Sequence, residues 1–286
     1  MSLVAKIRLW LDLVRFSHTI FALPFALAGL LVGSGGWPTL RVTLLVLLCM
    51  ATARNAAMAW NRLVDRDIDA ANPRTAKRHL PAGLVTPKAV GLFTLANAAL
   101  FVLGAWLLNP LCFALSPLAL ALVLGYSHVK RFSSLCHLVL GLSIGISPVA
   151  AGIAASGQFL TACLWLSAAL WSWIAGFDIV YSTQDTDFDR SRRLHSIPAL
   201  LGDRGALVVA GFLHLLVPPS LLAAGLAAGW GLPWHLVVVV VAALLLRTHL
   251  RRSSRDLDMQ SSFFRLNAAV SVLVLAGVAW EMLVRV

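Results

Sequence analysis

AVGLFTLANAALFVLGAWLLNPLCFALSPLALALVLGYSHV, residues 89–129, contains no Asp, Glu, Lys or Arg. A helix needs about 20 residues to cross the hydrocarbon core of a bilayer. The run is therefore two crossings long, with Asn109-Pro110 as the turn at its middle. Two further charge-free runs repeat the pattern: Phe132–Phe177 turns at Ser156-Gly157, and Gly205–Leu246 turns at Gly229-Trp230-Gly231. Three helical hairpins follow. Phe16–Gly33 and Leu40–Trp60 add two spans before them, split by Ser34-Gly-Gly-Trp-Pro38, and Leu266–Val284 adds one after. The reading is an all-α membrane protein with nine spans, at 16–33, 40–60, 88–108, 110–128, 134–155, 159–182, 205–228, 233–250 and 266–284. No linker or low-complexity tract divides the chain, so residues 1–286 read as one domain.

Composition agrees. The chain is 59% hydrophobic and 12% charged with a mean hydropathy of +0.85, outside the range of a soluble globular domain. Its net charge of +11 invites a nucleic-acid reading, which the placement of the charge opposes. Lys6, Arg8 and Arg15 lie before the first span, and most other basic residues fall in the loops 62–88, 130–131, 190–204 and 247–265. Arg41 and Arg285 sit at the opposite ends of the spans. This is the positive-inside pattern, predicting a cytoplasmic N-terminus and an external C-terminus. Trp37, Trp106, Trp230, Trp234 and Trp280 are expected to form the aromatic belt at the outer interface. The apolar run after Arg15 is too long for a signal-peptide core and reads as the first span. Cys49, Cys112, Cys136 and Cys163 have no metal spacing and read as small core residues.

Six of the twelve acidic residues fall in two short clusters on the cytoplasmic side, Asn61-Arg-Leu-Val-Asp65-Arg-Asp67-Ile-Asp69 and Asp185-Thr-Asp187-Phe-Asp189. Residues four apart share a helix face, which groups Asn61 with Asp65 and Asp69, and Asp185 with Asp189. Asp67 and Asp187 are off those faces and read as solvated or outer residues, and Asp203, Asp256 and Asp258 as solvent-facing. Neighbouring carboxylates repel by about 3 kcal/mol at an effective dielectric of ~20, so the clusters call for cations. Hard oxygen donors suit Mg²⁺, which shares its shell with carboxylates and substrate phosphates. A basic, Pro-containing loop follows each cluster, and the recurrence resembles a degenerate internal repeat with a site at its interface. Arg62, Arg66, Lys77, Arg78, Lys130, Arg131, Arg192 and Arg193 lie on the same side and suit phosphate.

Together these features suit a substrate with a diphosphate head and an apolar tail, an isoprenyl diphosphate. Stabilising the departing diphosphate would be the main catalytic effect. Aromatic faces would stabilise the resulting allylic cation, with Phe16, Phe21, Phe25, Tyr126, Trp171, Trp173, Phe177 and Tyr181 as candidate walls. Arg54 lies two turns inside a span, where a charge costs about 2.5–3.5 kcal/mol on insertion scales. It is expected either to bind an acceptor carboxylate or to pair with Asp178.

The chain resembles the UbiA family of intramembrane prenyltransferases over nearly its whole length. Asn61, Asp65 and Asp69 match the motif N-x-x-x-D-x-x-x-D, and Asp185 and Asp189 match D-x-x-x-D, preceded by Asp178 and Tyr181. Arg15–Pro24 and Tyr126–Phe132 are similar to the aromatic-acid branch. The resemblance implies nine helices around a central lipid-open chamber with cytoplasmic cap loops. It also implies two Mg²⁺ ions bridging a diphosphate, held by Asn61, Asp65, Asp69, Asp185 and Asp189. Asp65, Asp69, Asp185 and Asp189 are the catalytic acids; Arg66, Lys130 and Arg131 would bind diphosphate, and Arg54 and Tyr126 the acceptor. Asp178 and Tyr181 would lie just behind the metal site. The base that removes the ring proton is either diphosphate or a nearby Asp.

The run from Arg54 to Thr75 resembles enzymes that prenylate 4-hydroxybenzoate for ubiquinone. It is slightly closer to those implied to prenylate a hydroxynaphthoate-type acid for menaquinone, and the protein is expected in the bacterial inner membrane. His195 and His79 depart from common family residues, Lys and an acid respectively. Three alternatives fit less well. A CDP-alcohol phosphotransferase needs an Asp-Gly pair, and none occurs. A cation transporter would want acids at mid-membrane. Another acceptor (haem, chlorophyllide or homogentisate) fits the Tyr126–Phe132 segment less well.

Overall fold

A computed structural model of the chain describes residues 9–14, 22–250 and 257–284, and side chains for all of these but 250 and 257–267. Phe16, Phe21 and most of the Arg15–Pro24 motif lie outside those residues, as does Asp256, and the side chain of Asp258 does too. Every regular element among the described residues is helical. In chain order the helices are α1 (Leu23–Ser34), α2 (Leu40–Val64), α3 (Arg66–Ala71), α4 (Pro87–Leu108), α5 (Pro110–Val129), α6 (Cys136–Gly145) and α7 (Ser147–Ser156). Then follow α8 (Thr161–Ser182), α9 (Thr186–Ser191), α10 (Ile197–Leu215), α11 (Val217–Ala228), α12 (Leu232–Leu250) and α13 (Leu257–Val284).

Among the described residues seven helical stretches are long and apolar enough to cross a bilayer, and Leu23–Ser34 and Ala268–Val284 are shorter apolar helices. Local chemistry sets their starts. Thr86 and Asn109 accept hydrogen bonds from the amides of Ala89 and Cys112, and each is followed by a proline at the first helical position. Two expected spans are broken in the middle. The 134–155 stretch divides between α6 and α7 at Ile146, and 205–228 divides between α10 and α11 at Leu216. Pro148 and the pair Pro218-Pro219 follow the breaks, because proline removes a ladder donor and clashes with the carbonyl four residues back. Helix α10 also starts earlier than the predicted span, at Ile197, with a non-helical bend at Gly202.

The main core joins α1, α8, α11, α12 and α13 around Trp173, Trp234, Leu166 and Leu221. Helices α1 and α7 approach closely along Gly29 and Gly33. A methyl group on Gly29 would sit 2.2 Å from the Pro148 carbonyl oxygen, and one on Gly33 would sit 2.5 Å from that of Gly152. Small residues spaced by four on both partners let the backbones touch. Leucines such as Leu95, Leu118 and Leu226 point outward, two-thirds or more exposed, as lipid-facing side chains do.

Trp37, Trp106 and Trp280 are exposed, as the belt reading requires. It fails for Trp230 and Trp234. These pack edge to face at 4.4 Å inside the core, where Trp234 Nε1 donates to the Leu221 carbonyl and the ring lies over Gly225. A tryptophan satisfied this way gains more by burying its whole ring than by standing at an interface. The four cysteines are free thiols, Cys49 and Cys163 buried.

Candidate active site at one end of the bundle

The C-terminal ends of α2, α5 and α8 and the N-terminal ends of α6 and α10 lie together at one end of the bundle, joined by the loops 72–86 and 192–196. Both acid motifs fall here, and each straddles a helix break rather than one continuous helix. Helix α2 ends at Val64, Asp65 adopts φ −87° and ψ 7°, and α3 begins at Arg66. The second motif runs from a 3-10 turn, Thr183–Asp185, into α9. Backbone bonds from Asp65 N to Asn61 O and from Asp69 N to Asp65 O carry the four-residue spacing across the first break.

Each motif acid except Asp67 and Asp187 meets a partner from another part of the chain. Asp65 is buried and accepts from Lys130 Nζ at 2.6 Å, Arg131 Nη2 at 3.1 Å and Asn61 Nδ2 at 3.1 Å. Arg131 is itself anchored on the carbonyls of Ser127 and Val64. Asp69, also buried, accepts through both carboxylate oxygens from the single nitrogen Arg78 Nη1, at 2.7 and 2.9 Å, with Arg62 3.9 Å away. Asp185 is clasped by the Arg74 guanidinium and accepts from Asn72 Nδ2 at 3.0 Å. Asp189 accepts from the Ser196 hydroxyl at 2.8 Å. Asn72 and Arg74 belong to the loop after the first motif, so that loop bridges to the second. Lys130, bonded to Asp65, is also close enough to act electrostatically on Asp189. The two clusters therefore share one site.

Other candidates divide. Tyr126 and Arg54 lie near enough to interact electrostatically. Tyr181 stacks on Phe177 at 6.5 Å, with the Arg74 guanidinium 5.8 Å over its ring. Arg66 is not brought in: it reaches outward to exposed Asp67 at 3.0 Å, because the break at Asp65 turns it away from the acids. Phe25 and Trp173 are core residues 5.8 Å apart, fully buried, and not a wall of the site. Trp171 donates to the Leu138 carbonyl. Asp178, the other partner expected for Arg54, has His137 Nδ1 2.7 Å from its carboxylate. Asp203 is not merely solvated, since it accepts from Thr186 at 2.7 Å and ties α9 to α10.

Sequence reasoning did not single out Asn72, Arg74, His137 or Ser196. Arg74 had a signal, a basic residue five past Asp69, but its partner Asp185 is distant in sequence. Arg74 is held protonated against the pull of burial by the Asp185 carboxylate. Burial pushes the His79 imidazole below its usual range, so His79 reads as a neutral loop residue. Among the described residues His195 acts through its backbone: its amide donates to the Lys130 carbonyl and its carbonyl accepts from Cys136.

Among the described residues no three His, Cys, Asp or Glu side chains converge as a ready-made metal cage. The donor set is nevertheless all oxygen, from carboxylates and one amide. Mg²⁺ characteristically takes one or two carboxylates and completes its shell with water and substrate phosphates. The residues fit an ion that arrives with a phosphorylated substrate.

The comparisons with known proteins agree with this architecture. The model of the UbiA prenyltransferase family matches residues 22–273. A 4-hydroxybenzoate octaprenyltransferase from Shewanella sediminis (strain HAW-EB3) is 31% identical over 243 residues, covering 84% of each chain. One from Vibrio cholerae serotype O1 (strain ATCC 39541 / Classical Ogawa 395 / O395) is 31% identical over 281 residues, covering 96% of this chain and 97% of the relative. Among solved structures, the apo UbiA homologue from Aeropyrum pernix K1 is 37% identical with a TM-score of 0.83, covering 93% of this chain and 98% of that one. A UbiA homologue from Archaeoglobus fulgidus bound to DMAPP and Mg²⁺ shares the fold at 20% identity and a TM-score of 0.73, covering 94% and 99%. With a family match over most of its length, two paired acid motifs and a bundle of membrane-length helices, the chain belongs to the UbiA prenyltransferase family and is an integral-membrane prenyltransferase.

Proposed function

We propose that this enzyme transfers a polyprenyl group from a polyprenyl diphosphate to an aromatic hydroxy acid, 4-hydroxybenzoate or a related hydroxynaphthoate, in quinone biosynthesis. One observation carries the reading: the loop after the first acid motif clasps Asp185 of the second through Asn72 and Arg74, while Lys130 serves both motifs. Acids and bases held at one end of an apolar bundle suit a diphosphate whose tail lies in lipid. The names of the relatives support a hydroxybenzoate acceptor, and the DMAPP and Mg²⁺ of the archaeal homologue support the donor class.

Two Mg²⁺ ions, one on Asn61, Asp65 and Asp69 and one on Asp185 and Asp189, would supply the positive charge that stabilises the departing diphosphate. Lys130, Arg131, Arg74 and Arg78 would bind the remaining phosphate oxygens, Arg66 being turned away. The stacked Phe177 and Tyr181 offer ring faces to the allylic cation. Arg54, beside Tyr126 on the membrane side of Asn61, would pair with the acceptor carboxylate, directing the ring carbon ortho to the hydroxyl towards the cation. Nine spans, seven long and two short, would place this end at the cytoplasmic face of the inner membrane, with the loops 72–86 and 192–196 as its cap.

Washed membranes holding the enzyme, given labelled prenyl diphosphate, 4-hydroxybenzoate and Mg²⁺, should form a prenylated acid. Asp65→Ala and Asp189→Ala should each abolish the product. Normal turnover in either variant refutes the assignment. Mass spectrometry of the quinone precursor that accumulates in a deletion strain would name the acceptor.

A further inference from the structure

Asp65, Asp69 and Asp185 are each engaged by a guanidinium or ammonium group. Asp178 is different. Among the described residues its hydrogen-bond partner is a ring, His137, whose Nδ1 lies 2.7 Å from Asp178 Oδ2. His137 is the second residue of α6 and is almost fully buried, while 27% of the Asp178 side chain remains exposed.

The other ring nitrogen settles the direction of that bond. His137 Nε2 is 3.3 Å from the backbone nitrogen of Ile197. Ile197 opens α10, and the first amides of a helix have no partner within it. An amide N–H only donates, so Nε2 accepts and the ring proton sits on Nδ1, donated to Asp178. The Ser196 side chain meanwhile accepts from the Ala199 amide and donates to Asp189. His137 is thereby locked between the helix start that steadies Asp189 and the carboxylate of Asp178.

Asp178 lies seven residues before Asp185, about 10 Å deeper along the helix at 1.5 Å per residue. If the diphosphate rests on Asp185 and Asp189, Asp178 stands at the depth of the prenyl carbon and the acceptor ring. We propose that His137 is a positioning residue that holds Asp178 as the base for the ring proton. This rests on the prenyl-transfer reading above. The C–O bond to diphosphate breaks with its electron pair on diphosphate, and a ring π pair forms the new C–C bond. The proton on that ring carbon then passes to Asp178, and the pair it leaves restores aromaticity. Asp178, now neutral, returns the proton to water.

The test uses full-length enzyme in nanodiscs with Mg²⁺, geranyl diphosphate and 4-hydroxybenzoate, following diphosphate release and C–C product separately. An asparagine at 137 keeps a donor at the position of Nδ1, whereas the longer glutamine carries its amide to the position of Nε2 and leaves that of Nδ1 empty. His137→Gln should lower kcat for product by about 10- to 100-fold, the usual loss when an orienting partner is removed. Its KM for geranyl diphosphate should be unchanged, and its diphosphate release should exceed C–C product, the difference appearing as geraniol from capture of the cation by water. His137→Asn should restore most of kcat, and His137→Gln on top of Asp178→Asn should add nothing, as for groups acting as one unit. Wild-type kcat in His137→Gln, or an equal loss in His137→Asn, would overturn the role of His137 alone. Wild-type enzyme releasing no diphosphate would overturn the prenyl-transfer reading and this proposal with it.

Discussion

Seven residues separate Arg54 from Asn61 on α2, and seven separate Asp178 from Asp185 on α8 and the turn after it. Each pair shares roughly one helix face, with one member at the acid end and the other about two turns deeper. The shallow members suit metal and phosphate, and the deep members suit the acceptor. A charge-assisted hydrogen bond contributes about 1.5–3 kcal/mol, so Arg54→Ala should raise KM for 4-hydroxybenzoate at least ~10-fold while leaving that for prenyl diphosphate unchanged. Steady-state kinetics with each substrate varied in turn decides this, and an unaltered KM for the acid removes Arg54 from acceptor binding. Asp67 and Asp187 stand exposed between the functional acids, as their two-residue offset dictates.

At the scale of the helices, the features that build the site are breaks. Asp65 sits at the break between α2 and α3, and Asp185 at the end of the 3-10 turn before α9. These breaks let loop residues such as Arg74 and Arg78 fold back onto the acids. Close packing elsewhere keeps the scaffold in place. Helix α1 lies against α7 through Gly29 and Gly33 with no room for a side chain. Gly29→Val should force the two backbones apart and cost roughly 1–3 kcal/mol, the usual range for overpacking. Thermal unfolding in detergent should show a lower midpoint for this variant, and Gly36→Val, at a glycine with open space around its Cβ position, serves as the control.

For the whole molecule, the placement of positive charge has a consequence for metal removal. Asp65, Asp69 and Asp185 have internal cationic partners in Lys130, Arg131, Arg78 and Arg74. An isolated buried carboxylate would be strongly destabilising, but a paired and hydrogen-bonded one is tolerated. Chelation with EDTA should therefore abolish prenyl transfer yet leave the thermal midpoint within a few degrees, since a few degrees corresponds to about 1 kcal/mol. Added Mg²⁺ should restore activity. Loss of folded protein on chelation would mean that the metal, and not the arginines, holds the acids together.

Much of this was legible in the chain itself. Long charge-free runs can satisfy their backbone in lipid only as helices or closed barrels, and runs two crossings long with a turn at the middle read as helical hairpins. The acid motifs were visible because clustered carboxylates are rare in such a composition. What the sequence could not decide was which side chains meet across distant segments. Arg74 reaches Asp185, His137 reaches Asp178, Arg66 turns away, and Trp230 and Trp234 enter the core. Periodicity describes one helix at a time, whereas these contacts depend on how loops fold back and how helices pack. Side-chain chemistry along the chain was enough to group the acids with the basic loops; only the packed bundle chose each partner.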